Sequence, residues 1–253
     1  MPNEERFKKS DRPAPRVPLA NRPLHFIWII DCSGSMAGKK IGTVNHAISE
    51  VVPEMKDAAQ KNANIKLLVR TMQFSTGASW VTPEWIGIED FFWQPLIAED
   101  GVTDLGAAFD LLAKELDMPP MPKRAMPPVI VLVSDGLPTD DYRSSLDKLK
   151  ELPWMKKAVR IAIGIGHADE DDYDRDVLEE FTNNKELVLE APNATTLVKM
   201  IKWASTSVVG VAKPASQQKI EQNPTDDKSR AEAAGLNMNN IPEVEDDDDV
   251  WEL

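Results

Sequence analysis

The run Leu24 to Ile30, apolar but for His25, stops abruptly at Asp31-Cys32-Ser33-Gly34-Ser35. A continuous apolar stretch of this kind reads as a strand buried on both faces, which calls for helices on either side of a parallel sheet. The same strand delivers one carboxylate and two hydroxyls, spaced two apart, into the turn that follows. Hard oxygen atoms at that spacing converge on one point and suit a small hard cation such as Mg²⁺.

Downstream, strand-like and helix-like periods alternate. Ile41, Val44, Ile48, Val51, Val52, Met55 and Ala59 recur at helical spacing, so one face packs on the sheet. Pro53 lacks the amide that would bond the Ser49 carbonyl, which predicts a kink there. Ile65 to Phe74 reads as a second strand, and Ala78 to Thr82 as a short antiparallel edge strand after the Ser75-Thr76-Gly77 turn. Leu105, Ala108, Phe109, Leu112 and Leu116 form one stripe of a helix that ends before Pro119-Pro120. Val129 to Val133, Val159 to Ile165 and Glu186 to Leu189 read as strands. Tyr142 to Leu152, Asp174 to Phe181 and Ala194 to Val209 read as helices. Such alternation predicts an α/β fold, a Rossmann-like, doubly wound, mostly parallel sheet with helices on both faces. Ligands of these sheets bind beyond the carboxyl ends of the strands, where the strand order reverses. Asp31, Thr103 and Asp135 all fall at that end. Between residues 83 and 101, Trp85, Phe91, Phe92 and Trp93 stand among acidic side chains. They read first as cover for a helix or sheet edge, and second as a rim that a partner recognises.

Two segments complete the oxygen-rich end of the sheet. In Gly101-Val102-Thr103-Asp104-Leu105-Gly106 a threonine stands just before a helix, and in Val131-Leu132-Val133-Ser134-Asp135-Gly136 an aspartate ends a buried strand. Taken singly, Asp31 and Asp135 would merely cap turns. The three segments in this order resemble the metal-ion-dependent adhesion site of von Willebrand factor A domains, and the resemblance covers residues 23 to 211. It implies that Ser33 and Ser35 hold the ion through their hydroxyls, that Thr103 joins when the site is engaged, and that Asp31 and Asp135 act mostly through bound water. It implies Mg²⁺ as the ion, with Mn²⁺ or Ca²⁺ as alternatives. One coordination position stays open for an aspartate or glutamate of a partner protein. The string Phe26-Ile27-Trp28-Ile29-Ile30-Asp31-Cys32-Ser33-Gly34-Ser35-Met36, followed by Gly38-Lys39-Lys40-Ile41 and Val44-Asn45-His46-Ala47-Ile48, resembles TerY-like proteins of bacterial tellurite-resistance clusters. That closer resemblance implies a protein kinase or PP2C-type phosphatase as partner, in a stress-response or phage-defence system. A chelatase-like subunit that links substrates to an AAA+ ATPase is the alternative, and a metal-dependent hydrolase a third reading.

Hydrolysis would require a base beside a metal-bound water. His46 and His167 are the only histidines that the pattern puts near the site, and neither comes with a catalytic partner. No Gly-rich phosphate loop with its lysine, zinc-type Cys/His spacing or nucleophile elbow occurs, so a non-catalytic protein is expected. Cys32 is the single cysteine, which excludes an internal disulfide framework and fits a reducing cytoplasm. Its place inside the first loop suggests a space-filling role behind the hydroxyls. No apolar run reaches bilayer-spanning length and the N-terminal stretch lacks a signal-peptide core, so a soluble cytoplasmic chain without a membrane partner is expected. A net charge of −13 argues against nucleic acid. Seven of those negative charges fall among residues 243 to 253, leaving the rest of the chain mildly acidic. The expected organisation is an extended Pro-rich arm over residues 1–22, one domain over 23–211 and a disordered acidic tail over 212–253. That tail offers carboxylates to the open metal position in cis or in trans, with Trp251 and Leu253 as anchors; the plainer reading is a solvated tail.

Overall fold

The computed structural model describes residues 22–62, 65–98, 100–168, 172–211, 232, 238–244 and 251. Residues 1–21 of the Pro-rich arm and most of the acidic tail, with the interactions expected of them, lie outside these residues, while Arg22 already belongs to the first strand. In chain order the elements are β1 (Arg22–Asp31), α1 (Lys39–Lys61), β2 (Ile65–Ser75), β3 (Gly77–Trp80), β4 (Ile86–Gly87), α2 (Leu105–Leu116), β5 (Val129–Ser134), α3 (Tyr142–Glu151), β6 (Val159–Ile165), α4 (Arg175–Thr182), β7 (Val188–Ala191) and α5 (Ala194–Val211).

The strands form one sheet in the order β3-β2-β1-β5-β6-β7, with β4 also paired to β2. Pairings among β1, β2, β5, β6 and β7 are parallel, while β3 and β4 run antiparallel to β2. This is the expected α/β architecture with a mostly parallel sheet between helical layers. Its central strands are buried on both sides, and successive residues serve different cores. Phe26, Trp28 and Ile30 join α1 and α5 on one face. Ile27 and Ile29 join α2, α3 and α4 on the other. The second layer is locked by Phe109 of α2 stacked on Phe181 of α4, with ring centroids 5.5 Å apart.

α1 is a single helical element through Pro53, its apolar stripe continuing on the core side in Met55 and Ala59. Two local details depart from the sequence reading. The last strand starts at Val188 because Lys185–Leu187 forms a 3₁₀ turn, whose Glu186 amide donates to Asn184 Oδ1 at 3.0 Å. The two-residue β4 was not foreseen, being too short to show a period. The aromatic segment mainly provides cover. Phe91 and Trp93 lie 5.7 and 6.0 Å from the buried Trp28, and Trp85 meets His25 edge-on, whereas Phe92 is 76 % exposed.

Of the described C-terminal residues, Met238, Ile241 and Trp251 pack against the α1/α5 core, and Trp251 Nε1 donates to the Ala191 carbonyl at 3.1 Å. Among the described residues, no helix is long and apolar enough to cross a membrane.

The topology fixes where a ligand can sit. From β1 the chain moves outward through β2 to β3, then returns to start β5 on the other side of β1. The strand order therefore reverses between β1 and β5, which opens a crevice at their carboxyl ends.

Candidate metal centre

Asp31 is the last residue of β1 and is fully buried. Its Oδ1 accepts from the Ser33 amide at 2.8 Å, which shapes the first loop, and its Oδ2 accepts from Ser134 Oγ at 2.5 Å. Ser134 closes β5 beside β1, so the parallel pairing itself brings that hydroxyl to Asp31. Burial pushes the Asp31 carboxyl above its ordinary range; the Ser134 and Ser33 hydrogen bonds oppose the shift, and the charge of Asp135 adds to it.

The remaining donors close around this carboxylate. Ser33 Oγ and Ser35 Oγ are 3.1 Å apart, and Ser35 Oγ donates to Asp135 Oδ1 at 2.8 Å. Thr103 reaches the same point from the second loop. A β-carbon placed on Gly136 would come within 2.9 Å of Thr103 Oγ1 and 3.5 Å of Asp31 Oδ2, so the missing side chain at 136 lets hydroxyl and carboxylate flank one small space. All five residues singled out from the sequence, Asp31, Ser33, Ser35, Thr103 and Asp135, are thus brought together. Asp31, Ser33, Thr103 and Asp135 are buried, and Ser35 opens to solvent.

The second and third loops are held to one another. The Thr103 amide donates to Thr139 Oγ1 at 3.1 Å, and the Thr139 amide returns a bond to the Thr103 carbonyl at 2.9 Å. Asp140 accepts from the Gly106 and Ala107 amides at 2.9 and 3.0 Å, capping α2 from a distant part of the chain. Asp104 ties the loop to the β2–β3 turn by accepting from the Gly77 amide at 2.8 Å.

Sequence reasoning missed Ser134, Thr139, Asp140 and Lys40. Lys40 Nζ donates to Asp135 Oδ2 at 2.5 Å, from a position 95 residues away in sequence. Asp140 had a faint signal, since it closes the Asp135 loop with the turn-forming residues Gly136, Pro138 and Thr139. The histidines are elsewhere engaged. His46 projects from α1 into solvent, 3.8 Å from Glu50, and His167 lies 3.7 Å from Glu190 after β6. Cys32 is buried, its thiol pushed up to about 12 by burial and by the Asp31 charge, so it stays protonated.

The donor set fits a hard cation. Among the described residues no cluster of three His, Cys, Asp or Glu side chains forms. Two carboxylates and three hydroxyls meet instead, a mixture of oxygen donors that suits Mg²⁺ better than a soft metal. Gly101, Val102 and Leu137, on the loops that carry Thr103 and Asp135, are exposed, Val102 at 45 % and Leu137 at 54 %.

A family model described as von Willebrand factor type A domain matches residues 27–203. No curated protein matches the sequence significantly. Among solved structures, the chain is similar to the pilus adhesin SpaC from Lactobacillus rhamnosus GG, at 14 % identity and a TM-score of 0.61, covering 75 % of this chain and 31 % of that one. It is similar to a von Willebrand factor type A protein from Catenulispora acidiphila at 17 % identity and a TM-score of 0.54, covering 76 % and 44 %. It is also similar to proximal thread matrix protein 1 of the mussel byssus, whose metal-ion-dependent adhesion site is occupied by zinc, at 15 % identity and a TM-score of 0.52, covering 76 % and 47 %. At such identities the likeness concerns the fold, and the chain spans less than half the length of these three structures.

Proposed function

The chain belongs to the von Willebrand factor type A domain family, and from that premise we propose that it is a non-catalytic adaptor that docks a partner protein through a divalent cation at the β1/β5 crevice. The observation that carries this reading is the convergence of Asp31, Ser33, Ser35, Thr103 and Asp135 from three separate loops. The hydroxyls of Ser33, Ser35 and Thr103 hold the ion, and the two aspartates orient its water ligands. Mg²⁺ is the ion proposed for such oxygen donors. A cation with few charged ligands remains electrophilic and accepts an aspartate or glutamate from the partner. Val102 and Leu137 frame that carboxylate with apolar surface, the mixture of a polar centre and apolar contact found at interface hot spots. A kinase or PP2C-type phosphatase is the partner class implied by the TerY-like resemblance.

The test is capture of partners by the immobilised full chain in Mg²⁺ and again in excess chelator. A partner retained only with Mg²⁺, and lost on Ser33→Ala or Thr103→Ala, fits the reading. Capture that survives both the chelator and the substitutions removes the metal bridge.

A further inference from the structure

Lys40 stands where a lysine is electrostatically costly. It is the second residue of α1, whose first turn holds Lys39 and Lys40 and no acidic residue. The partial positive charge of a helix N-terminus disfavours cations there. The ammonium is offset by Asp135 alone among the contacts described for it, with Nζ 2.5 Å from Oδ2. The Lys40 side chain is 19 % exposed and that of Asp135 0 %, so the pair is shielded from solvent on the carboxylate side. Gly38, at φ 74°, turns the chain directly ahead of α1 and aims this first turn at the crevice.

The pair belongs to a connected set. Asp135 Oδ2 takes Lys40, Asp135 Oδ1 takes Ser35, and Ser35 meets Ser33. Both oxygens of the third loop's carboxylate are therefore engaged by donors of the chain itself, one of them already a full positive charge. A divalent cation whose water ligand Asp135 orients lies close to that ammonium, and two positive centres so near one another repel strongly in a half-buried site.

We propose that Lys40 is a built-in cationic competitor that sets the affinity of the site, so that a divalent ion binds only as Lys40 gives up Asp135. This rests on the reading of the crevice as a cation site. The consequence is a site that loads weakly by itself and that responds to the charge at position 40 more than to its size.

Calorimetric titration of the full chain with Mn²⁺ at low ionic strength tests it, using wild type, Lys40→Met, Lys40→Arg and Ser33→Ala. Lys40→Met should bind Mn²⁺ about tenfold more tightly or better, Lys40→Arg about as weakly as wild type, and Ser33→Ala more weakly than wild type. Acetylation of Lys40 in the wild-type chain, followed by peptide mass spectrometry, gives a reading independent of any variant's folding. Labelling at Lys40 should rise as Mn²⁺ saturates. Wild-type binding that Lys40→Met leaves unchanged or weakens, or Lys40 labelling that Mn²⁺ leaves unchanged, overturns the competitor while leaving the cation site standing. Mn²⁺ binding by none of the four proteins overturns the cation site and the competitor together.

Discussion

Asp31 and His25 lie on the same strand and carry opposite kinds of burial cost. The Asp31 carboxyl is raised above its ordinary range by burial, despite two hydrogen bonds, and it shares the site with Asp135. A carboxyl raised in the fold favours folding only while protonated, and that advantage is lost as pH rises through its folded value. At neutral pH its charge is therefore a cost, and Asp31→Asn removes it. In chelator we expect the melting temperature of Asp31→Asn to hold or rise by a few degrees, about 1 kcal/mol, while Mn²⁺ binding falls. A large drop in melting temperature would make Asp31 a structural residue first. His25 sits 4.6 Å from the Trp85 ring, its Nδ1 without a hydrogen-bond partner among the described residues, and burial lowers its pKa from 6.5 to about 4. The unfolded chain takes a proton there near pH 6.5, and the fold refuses it until about 4. For this group, stability is constant above the unfolded value and declines as pH falls from 6.5 towards 4, by about 3 kcal/mol in all. Urea melts at neutral pH and near the lower value should show His25→Leu losing less stability on acidification than wild type. Equal losses would place the acid sensitivity elsewhere.

At the scale of elements, α2 ties stability to the site. Its first amides, of Gly106 and Ala107, are capped by Asp140 from the loop that carries Asp135. Asp140→Ala should cost about 1–2 kcal/mol as a lost cap and also weaken cation binding, because Thr103 immediately precedes this helix. A variant that loses stability but binds Mn²⁺ as before would separate cap from site. This arrangement also marks the limit of what could be read in advance. The strands showed as apolar runs and the helices as stripes because each pattern repeats within its own element. Asp31, Ser33, Ser35, Thr103 and Asp135 showed because they stand in three short segments, each local in sequence, whose order resembles the von Willebrand factor A adhesion site. Lys40, Ser134 and Asp140 did not, because their partners are 95, 103 and 33–34 residues away and only the sheet order brings them close. The last strand shifted by two residues because the Asn184 cap, a local hydrogen bond, outweighed a weak strand pattern.

Across the whole molecule, the sheet carries the site on one end and a C-terminal anchor on its edge. Trp251 packs on the α1/α5 core and bonds to the Ala191 carbonyl at the carboxyl end of β7. Trp251→Ala should lower stability by about 1–2 kcal/mol through lost packing and one hydrogen bond, read as a fall in melting temperature. No change would mean that the anchor adds nothing to the domain. The domain needs no catalytic group for the role proposed; it needs three loops held rigidly around one cation. That claim is tested most directly by a crystal of the full chain soaked in Mn²⁺ and measured at a wavelength where manganese scatters anomalously. One anomalous peak among Ser33, Ser35, Thr103 and Asp135, with Lys40 Nζ withdrawn from Asp135, is the predicted result. Lys40 still seated on Asp135, with no peak in the crevice at saturating Mn²⁺, would contradict it.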